Sequence, residues 1–280
     1  MNAEAPPQRY PDGAIPECAA SQGAAPDRSA LVISVGIEVA PALLSGLQEQ
    51  DVRMTLLADA ASVAGVADGA QAGDAQVTAP PSGGIHRLPL KAGSRAAVQS
   101  AVDAAVAAAG APDLVVLSVM PAISQQLTEL ADLPEAAWHE SVREALRTTL
   151  HILQAIGPAM ADRGGTVVFL APSLSLVGCR GLVPLTTALE GQRGLMKSVA
   201  RQWGHRGITL NWIAVTPGTL SPALAAAPLA IKADAVPVAL GRGLELGSEV
   251  APVIVFLASA AGRKITGATL CLDGGEWMLP

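Results

Sequence analysis

Polar and apolar positions along this chain fall into two textures. Short, nearly unbroken apolar runs recur at 30–34 (ALVIS), 52–59 (VRMTLLAD), 85–90 (IHRLPL), 113–119 (DLVVLSV), 164–173 (GGTVVFLAPS) and 208–215 (ITLNWIAV), and CLDGG at 271–275 closes the series. Each has the length of a strand and lacks the strict alternation of a sheet with one wet face, so each is expected to be buried on both sides, as parallel strands are. Between these runs the spacing is helical. In 194–203, Leu195, Val199 and Trp203 recur on one face with Met196 beside Leu195, while Lys197, Arg201 and Gln202 fall opposite. Gly204 and Gly207 stop this helix, and His205 and Arg206 place positive charge at its C-terminal end. Helices are also expected over 36–50, over 94–109 with Ser94 as N-cap, over 135–160 with Pro158 near the end, and onward from Ser248 as a further N-cap. Repeated strand–helix–strand alternation predicts an α/β fold: a Rossmann-like, doubly wound parallel sheet of about seven strands in a single domain.

The domain is expected to span 29–280. Residues 1–28 carry Pro6, Pro7, Pro11, Pro16 and Pro26 without periodicity and read as a disordered or loosely packed arm. Half of the 280 residues are apolar and only 2% are aromatic, so Ala, Val and Leu must fill the core, as suits close-packed helices on a sheet. A net charge of −6 argues against a nucleic-acid partner, which would need a basic stripe. Cys18, Cys179 and Cys271 lack metal-type spacing and read as free thiols of a reducing compartment. His86, His139, His151 and His205 are scattered, so no metal site is expected. No apolar run reaches the ~18 residues of a membrane span, and the N-terminus lacks the basic start and apolar core of a signal peptide. The expectation is a cytoplasmic protein without membrane contact. Its mean hydropathy of +0.40 is high for such a protein and points to apolar surface covered by another subunit.

Two stretches carry a family resemblance. GLMKSVARQWGHRGITLNWIAVTPG, 194–218, resembles the segment of short-chain dehydrogenase/reductases that follows their catalytic tyrosine and lysine. The tail resembles the C-terminal signature of that family: Glu249-Val250-Ala251, Phe256-Leu257-Ala258-Ser259, Ile265-Thr266-Gly267 and Asp273-Gly274-Gly275 match in order and spacing. The resemblance spans about 29–277 and implies the Rossmann fold, a nicotinamide cofactor and a carbonyl/alcohol redox reaction. It also implies where the functional groups belong, and there this chain departs. The three glycines of the first βα turn fall on Ser34, Glu38 and Ala40, with Gly36 at a spacer position. A carboxylate at Glu38, beside a helix N-terminus, would occupy the pyrophosphate's place and repel it by roughly 1–4 kcal/mol, unless the side chain points outward. Asp59, at the end of the second run, resembles the family's ribose-binding acid, and Pro217-Gly218 resembles the turn beyond the sixth strand; these three are vestiges of a cofactor site. Leu117-Ser118-Val119-Met120 stands where the family has Asn-Asn-Ala-Gly.

The proton relay departs further. Counted by the same resemblance, the catalytic asparagine falls on Ala145, the serine on Pro172, the tyrosine on Leu185 and the lysine on Leu189. Carbonyl reduction needs an acid whose pKa is lowered by a nearby cation, and leucine supplies neither. Nearby substitutes are Ser173, Ser175, Arg180, Glu190 and Arg193. The chain therefore reads as a degenerate member: no catalytic residue and no cofactor are expected. The expected partner is an active short-chain dehydrogenase/reductase subunit, or further copies of the chain itself, met through the preserved C-terminal third. One alternative is an NAD(P)-dependent oxidoreductase of a hydrophobic oxo-acyl or polyketide-type substrate with an atypical site. Another is a small-molecule binding module using the apolar 219–247 as a lid.

Overall fold

The computed structural model describes residues 28–37, 41–59, 85–225 and 238–278. Except for Arg28, the expected arm therefore lies outside the described residues, as do Glu38 and Ala40 and the middle of the expected lid. Arg28 belongs to the domain rather than the arm: it opens the first strand, and its Nη1 donates to the Val255 carbonyl at 3.1 Å.

Seven strands form one sheet: β1 Arg28–Val35, β2 Val52–Ala58, β3 His86–Pro89, β4 Leu114–Val119, β5 Gly165–Pro172, β6 Ile208–Val215 and β7 Thr269–Leu272. They run in the order β3-β2-β1-β4-β5-β6-β7, and every pair is parallel. The unbroken apolar runs have the reason expected of them. β4, β5 and β6 are buried along their whole length, whereas the edge strands β3 and β7 are only partly covered. Two of the scarce aromatic residues meet at the centre of the sheet: Phe169 on β5 and Trp212 on β6 are register partners, stacked with centroids 5.7 Å apart.

The main helices are α1 Pro41–Gln48, α2 Arg95–Ala109, α3 Glu144–Met160, α4 Val183–Trp203 and α5 Ala251–Leu257. α1 packs against α5, α2 against α3 and α3 against α4, giving a helical layer on each face of the sheet. Gly46 of α1 and Gly247, just before α5, permit a close approach. A Cβ on Gly46 would lie 2.3 Å from the Gly247 carbonyl oxygen, and one on Gly247 2.5 Å from that of Ala42.

Helix boundaries differ from the sequence reading in four places, the first being α4, which begins at Val183, eleven residues before the stretch 194–203. Within 36–50, α1 is described from Pro41, whose fixed φ suits a first helical position, to Gln48, and Gly36 is not helical, with φ +76°. The path 135–160 is interrupted once, by a π-type turn at His139–Arg143 between a short helix Glu135–Trp138 and α3. The wider turn buries Ser141 and Val142 before α3 resumes on Ala145, Thr148 and Thr149. Ser248 is not an N-cap; it sits inside a π-type turn, Leu246–Val250, that leads into α5. The N-terminal bond is made instead by Glu249, whose carboxylate accepts the Glu245 N–H at 2.8 Å and pairs with Arg242 at 2.6 and 3.0 Å. These bonds hold the Glu249 carboxyl down at about 2. Ser94 is the N-cap expected of it and accepts the Ala97 N–H at 3.3 Å.

Candidate functional site

In an open α/β sheet, ligands bind outside the carboxyl ends of the strands where strand order reverses. Here that point lies between β1 and β4, because β2 and β3 lie to one side and β5 to β7 to the other. The chain's own groups fill it. The ladder runs one residue past β4, with Met120 N–H donating to Val35 O at 2.9 Å. Gly36 then turns at φ +76° directly against the opposite chain: a Cβ there would lie 2.1 Å from Met120 O and 2.7 Å from Pro121 Cα. Only glycine fits both that conformation and that approach.

Side chains fasten the turn. The Ser34 hydroxyl, fully buried, donates to Ile37 O at 2.5 Å. The Gly36 N–H lies 3.2 Å from both carboxylate oxygens of Asp59, so the acid that resembled a ribose ligand holds the β1 turn. The Gln125 amide donates to Gly36 O and to Met120 O, each at 3.0 Å, and its oxygen accepts from the Ser221 hydroxyl at 2.7 Å. Pro217 and Gly218 open the helical turn Pro217–Leu220 after β6, and Ser221 follows it. Beneath these groups an apolar cavity lined by Val32, Ile37, Val116, Ser118, Leu220 and Leu246 leaves about 10 Å³ for the centre of a water-sized sphere. That is room for about one water. Ser118, its one hydroxyl, is already bonded to Leu170 O at 2.8 Å.

A dinucleotide needs an open crevice at this point and free N–H groups for its pyrophosphate. The described residues do not fit that group. Gly36 N–H is engaged by Asp59, and the strand ends lie against each other.

The positions aligned with the proton relay lie in the core. Ala145 is in α3, Pro172 ends β5, and Leu185 and Leu189 lie one turn apart on α4; all four are buried. Ala145, Leu185 and Leu189 belong to the continuous hydrophobic core. Leu185, Leu189, Gln192 and Met196 share one buried stripe of α4. Gln192 points its amide at the end of β4, where Nε2 donates to Val119 O at 2.9 Å. The alternative polar groups divide. Arg180 pairs with Glu129 at 2.7 Å in solvent, and Arg193 pairs with Glu190. Ser173 and Ser175, just past β5, are buried, and their hydroxyls have no partner among the described residues.

Gln125, Gln192 and Ser221 were not singled out from the sequence. Gln192 carried a readable signal: it is the polar position in a stripe otherwise made of Leu185, Leu189 and Met196. Gln125 and Ser221 carried none, because their partners are set by where distant segments meet. Among the described residues no three His, Cys, Asp or Glu side chains gather as a metal site, and no helix is long and apolar enough to cross a membrane.

Fold and switch point define a doubly wound nucleotide-type α/β protein. Comparison with known proteins narrows the class. The family profile described as enoyl-(acyl carrier protein) reductase matches residues 52–276. D-threitol dehydrogenase of Mycolicibacterium smegmatis is 32% identical over 218 residues, 75% of this chain and 79% of that enzyme. A 3-oxoacyl-(acyl-carrier-protein) reductase of Staphylococcus aureus is 30% identical over 155 residues, covering 53% of this chain and 61% of its own length, which is under two thirds. A short-chain type dehydrogenase/reductase from Mycobacterium ulcerans superposes with a TM-score of 0.72 over 89% of each chain at 23% identity, a likeness of fold. The chain belongs to the short-chain dehydrogenase/reductase family, a family of NAD(P)-dependent oxidoreductases.

Proposed function

We propose that this chain is a non-catalytic member of its family that assembles with an active short-chain dehydrogenase/reductase subunit and supports it. The observation that carries this reading is the buried stripe of α4. Leu185 and Leu189 occupy the positions aligned with the family's tyrosine and lysine, each 1% exposed, and no water-accessible acid stands in their place among the described residues. Replacing every member of a buried polar relay by an apolar group is nearly neutral, whereas losing one member strands the others at about 1–3 kcal/mol each. Complete replacement at Ala145, Pro172, Leu185 and Leu189 is what a chain released from catalysis would settle into. Assembly is supported by apolar side chains left in solvent on helices: Phe256 on α5, inside the family signature, is 47% exposed, and Leu150 on α3 is 41% exposed.

The test is co-expression with catalytically intact family members of the same source. A tagged chain is expected to co-elute with one of them as a hetero-oligomer by light scattering and to raise its turnover or its thermal midpoint. A chain that stays monomeric alone and with every such homologue, and changes neither quantity, contradicts the reading.

A second reading rests on Ser173 and Ser175. Two buried hydroxyls without partners beside the end of β5 are what an oxidoreductase with an atypical proton donor, acting on a hydrophobic oxo-acyl substrate, would retain. Loss of turnover in a Ser173→Ala variant of an otherwise active preparation would favour it. The binding-module alternative turns on 219–247, of which 226–237 lie outside the described residues.

A further inference from the structure

The side chain of Gln125 sits where three distant segments meet. It follows the end of β4 in a short 3-10 turn, Ala122–Gln125, and reaches across the switch point. Its Nε2 donates to Gly36 O, in the turn after β1, and to Met120 O, just past β4. Its Oε1 accepts from Ser221 Oγ, beyond β6. A carboxamide offers two N–H donors and one carbonyl oxygen, and here both kinds of group are engaged. Gly36 and Met120 are also the two residues whose backbones touch across the crevice.

We infer that Gln125 is an internal latch. It spans the strand ends where a dinucleotide would span them, holds 217–225 down on the β1 and β4 ends without any ligand, and closes the crevice to dinucleotides in the resting protein. The latch does not depend on the absence of catalysis. An active enzyme with the same latch would have to release Gln125 from Gly36 and Met120 before a dinucleotide entered. For 217–225, Ser221 is the point of attachment, since its hydroxyl is the atom of that segment that Gln125 grips. Asp59 is a second fastening of the β1 turn, through the Gly36 N–H rather than its carbonyl, so removing Gln125 frees 217–225 more than it frees Gly36.

The experiment is hydrogen exchange on the full chain, comparing the unaltered protein with Gln125→Ala, Gln125→Glu and Ser221→Ala. Amide exchange across 217–225 is expected to rise about tenfold in Gln125→Ala, as the loss of one or two buried hydrogen bonds implies. It is expected to rise similarly in Gln125→Glu, because a carboxylate cannot donate to two carbonyl oxygens. β5 and β6 should stay protected in both. Ser221→Ala leaves the Gly36 and Met120 bonds in place, so it should loosen 217–225 and leave 120–125 unchanged; it also keeps the test open if a Gln125 variant fails to fold. Unchanged exchange across 217–225 in folded Gln125 or Ser221 variants overturns the latch. Calorimetry with NADH and NADPH forms the second arm. Binding by Gln125→Ala but not by the unaltered protein supports the latch and leaves the non-catalytic reading, which rests on the apolar stripe of α4, standing. Binding by the unaltered protein with 217–225 still protected overturns the closure itself.

Discussion

The double variant Leu185→Tyr with Leu189→Lys is expected to show no nicotinamide turnover and to melt about 10 °C or more below the unaltered protein at pH 7. Both positions are 1% exposed on the face of α4 that packs into the core. A lysine there must give up its proton or bury a charge. Shifting its pKa from about 10.4 to below 7 costs roughly 4–5 kcal/mol at neutral pH. The tyrosine hydroxyl adds about 1–3 kcal/mol if it finds no partner. Against a typical total stability of about 5–15 kcal/mol the loss is severe. Its pH dependence identifies the cause. The folded pKa of the lysine is depressed, so the unfolded chain binds more protons between that value and about 10.4, and stability of the variant rises with pH across this window. Thermal midpoints measured from about pH 7 to 10 should therefore converge on those of Leu185→Tyr alone. A double variant that melts with the parent at pH 7 would mean that the site retains a polar network for these groups, contrary to the apolar packing of α4.

Gly36→Ala is expected to lower stability by about 2–4 kcal/mol, or roughly 5–10 °C. Two costs add. A left-handed φ of +76° is unfavourable for alanine by about 1–2 kcal/mol. The new methyl would also overlap Met120 O at 2.1 Å and Pro121 Cα at 2.7 Å, both backbone atoms that move only if the β1 and β4 ends separate. Gly178→Ala separates the two costs, since Gly178 has φ +82° and no atom within 4 Å of the place a Cβ would take. It should lose only the conformational part. Chemical denaturation of both variants gives the difference. Equal losses would mean that the turn after β1 does not lie against the chain after β4 and that the crevice is open.

The fold was legible because its signals are local and repeated. The run 208–215 coincides with β6, and 164–173 contains β5 with one residue to spare at each end, since a strand buried on both faces has few polar positions to blur its ends; Thr166, Thr209 and Asn211 are buried within them. Helix starts were less legible. Ser248 looked like a cap, yet the side chain that bonds the backbone at this helix start is Glu249, which accepts the Glu245 N–H with help from Arg242, a partner that helical spacing does not reveal. The catalytic positions were readable only through the family resemblance, and the structure adds that Leu185 and Leu189 are core side chains. Asp59 was visible as an acid at a strand end, but its engagement with the Gly36 N–H depends on how β1 and β2 lie together. Gln125 was invisible. A lone glutamine after a strand has no period, and its three partners lie 5, 89 and 96 residues away.

The most direct test of the non-catalytic reading is the steady-state rate of NADH and NADPH oxidation by the unaltered protein, purified free of any homologue, with hydrophobic oxo-acyl substrates. The expected rate is indistinguishable from the protein-free control with either nucleotide. Turnover at ordinary enzyme rates, about 1 s⁻¹ or more, would contradict it.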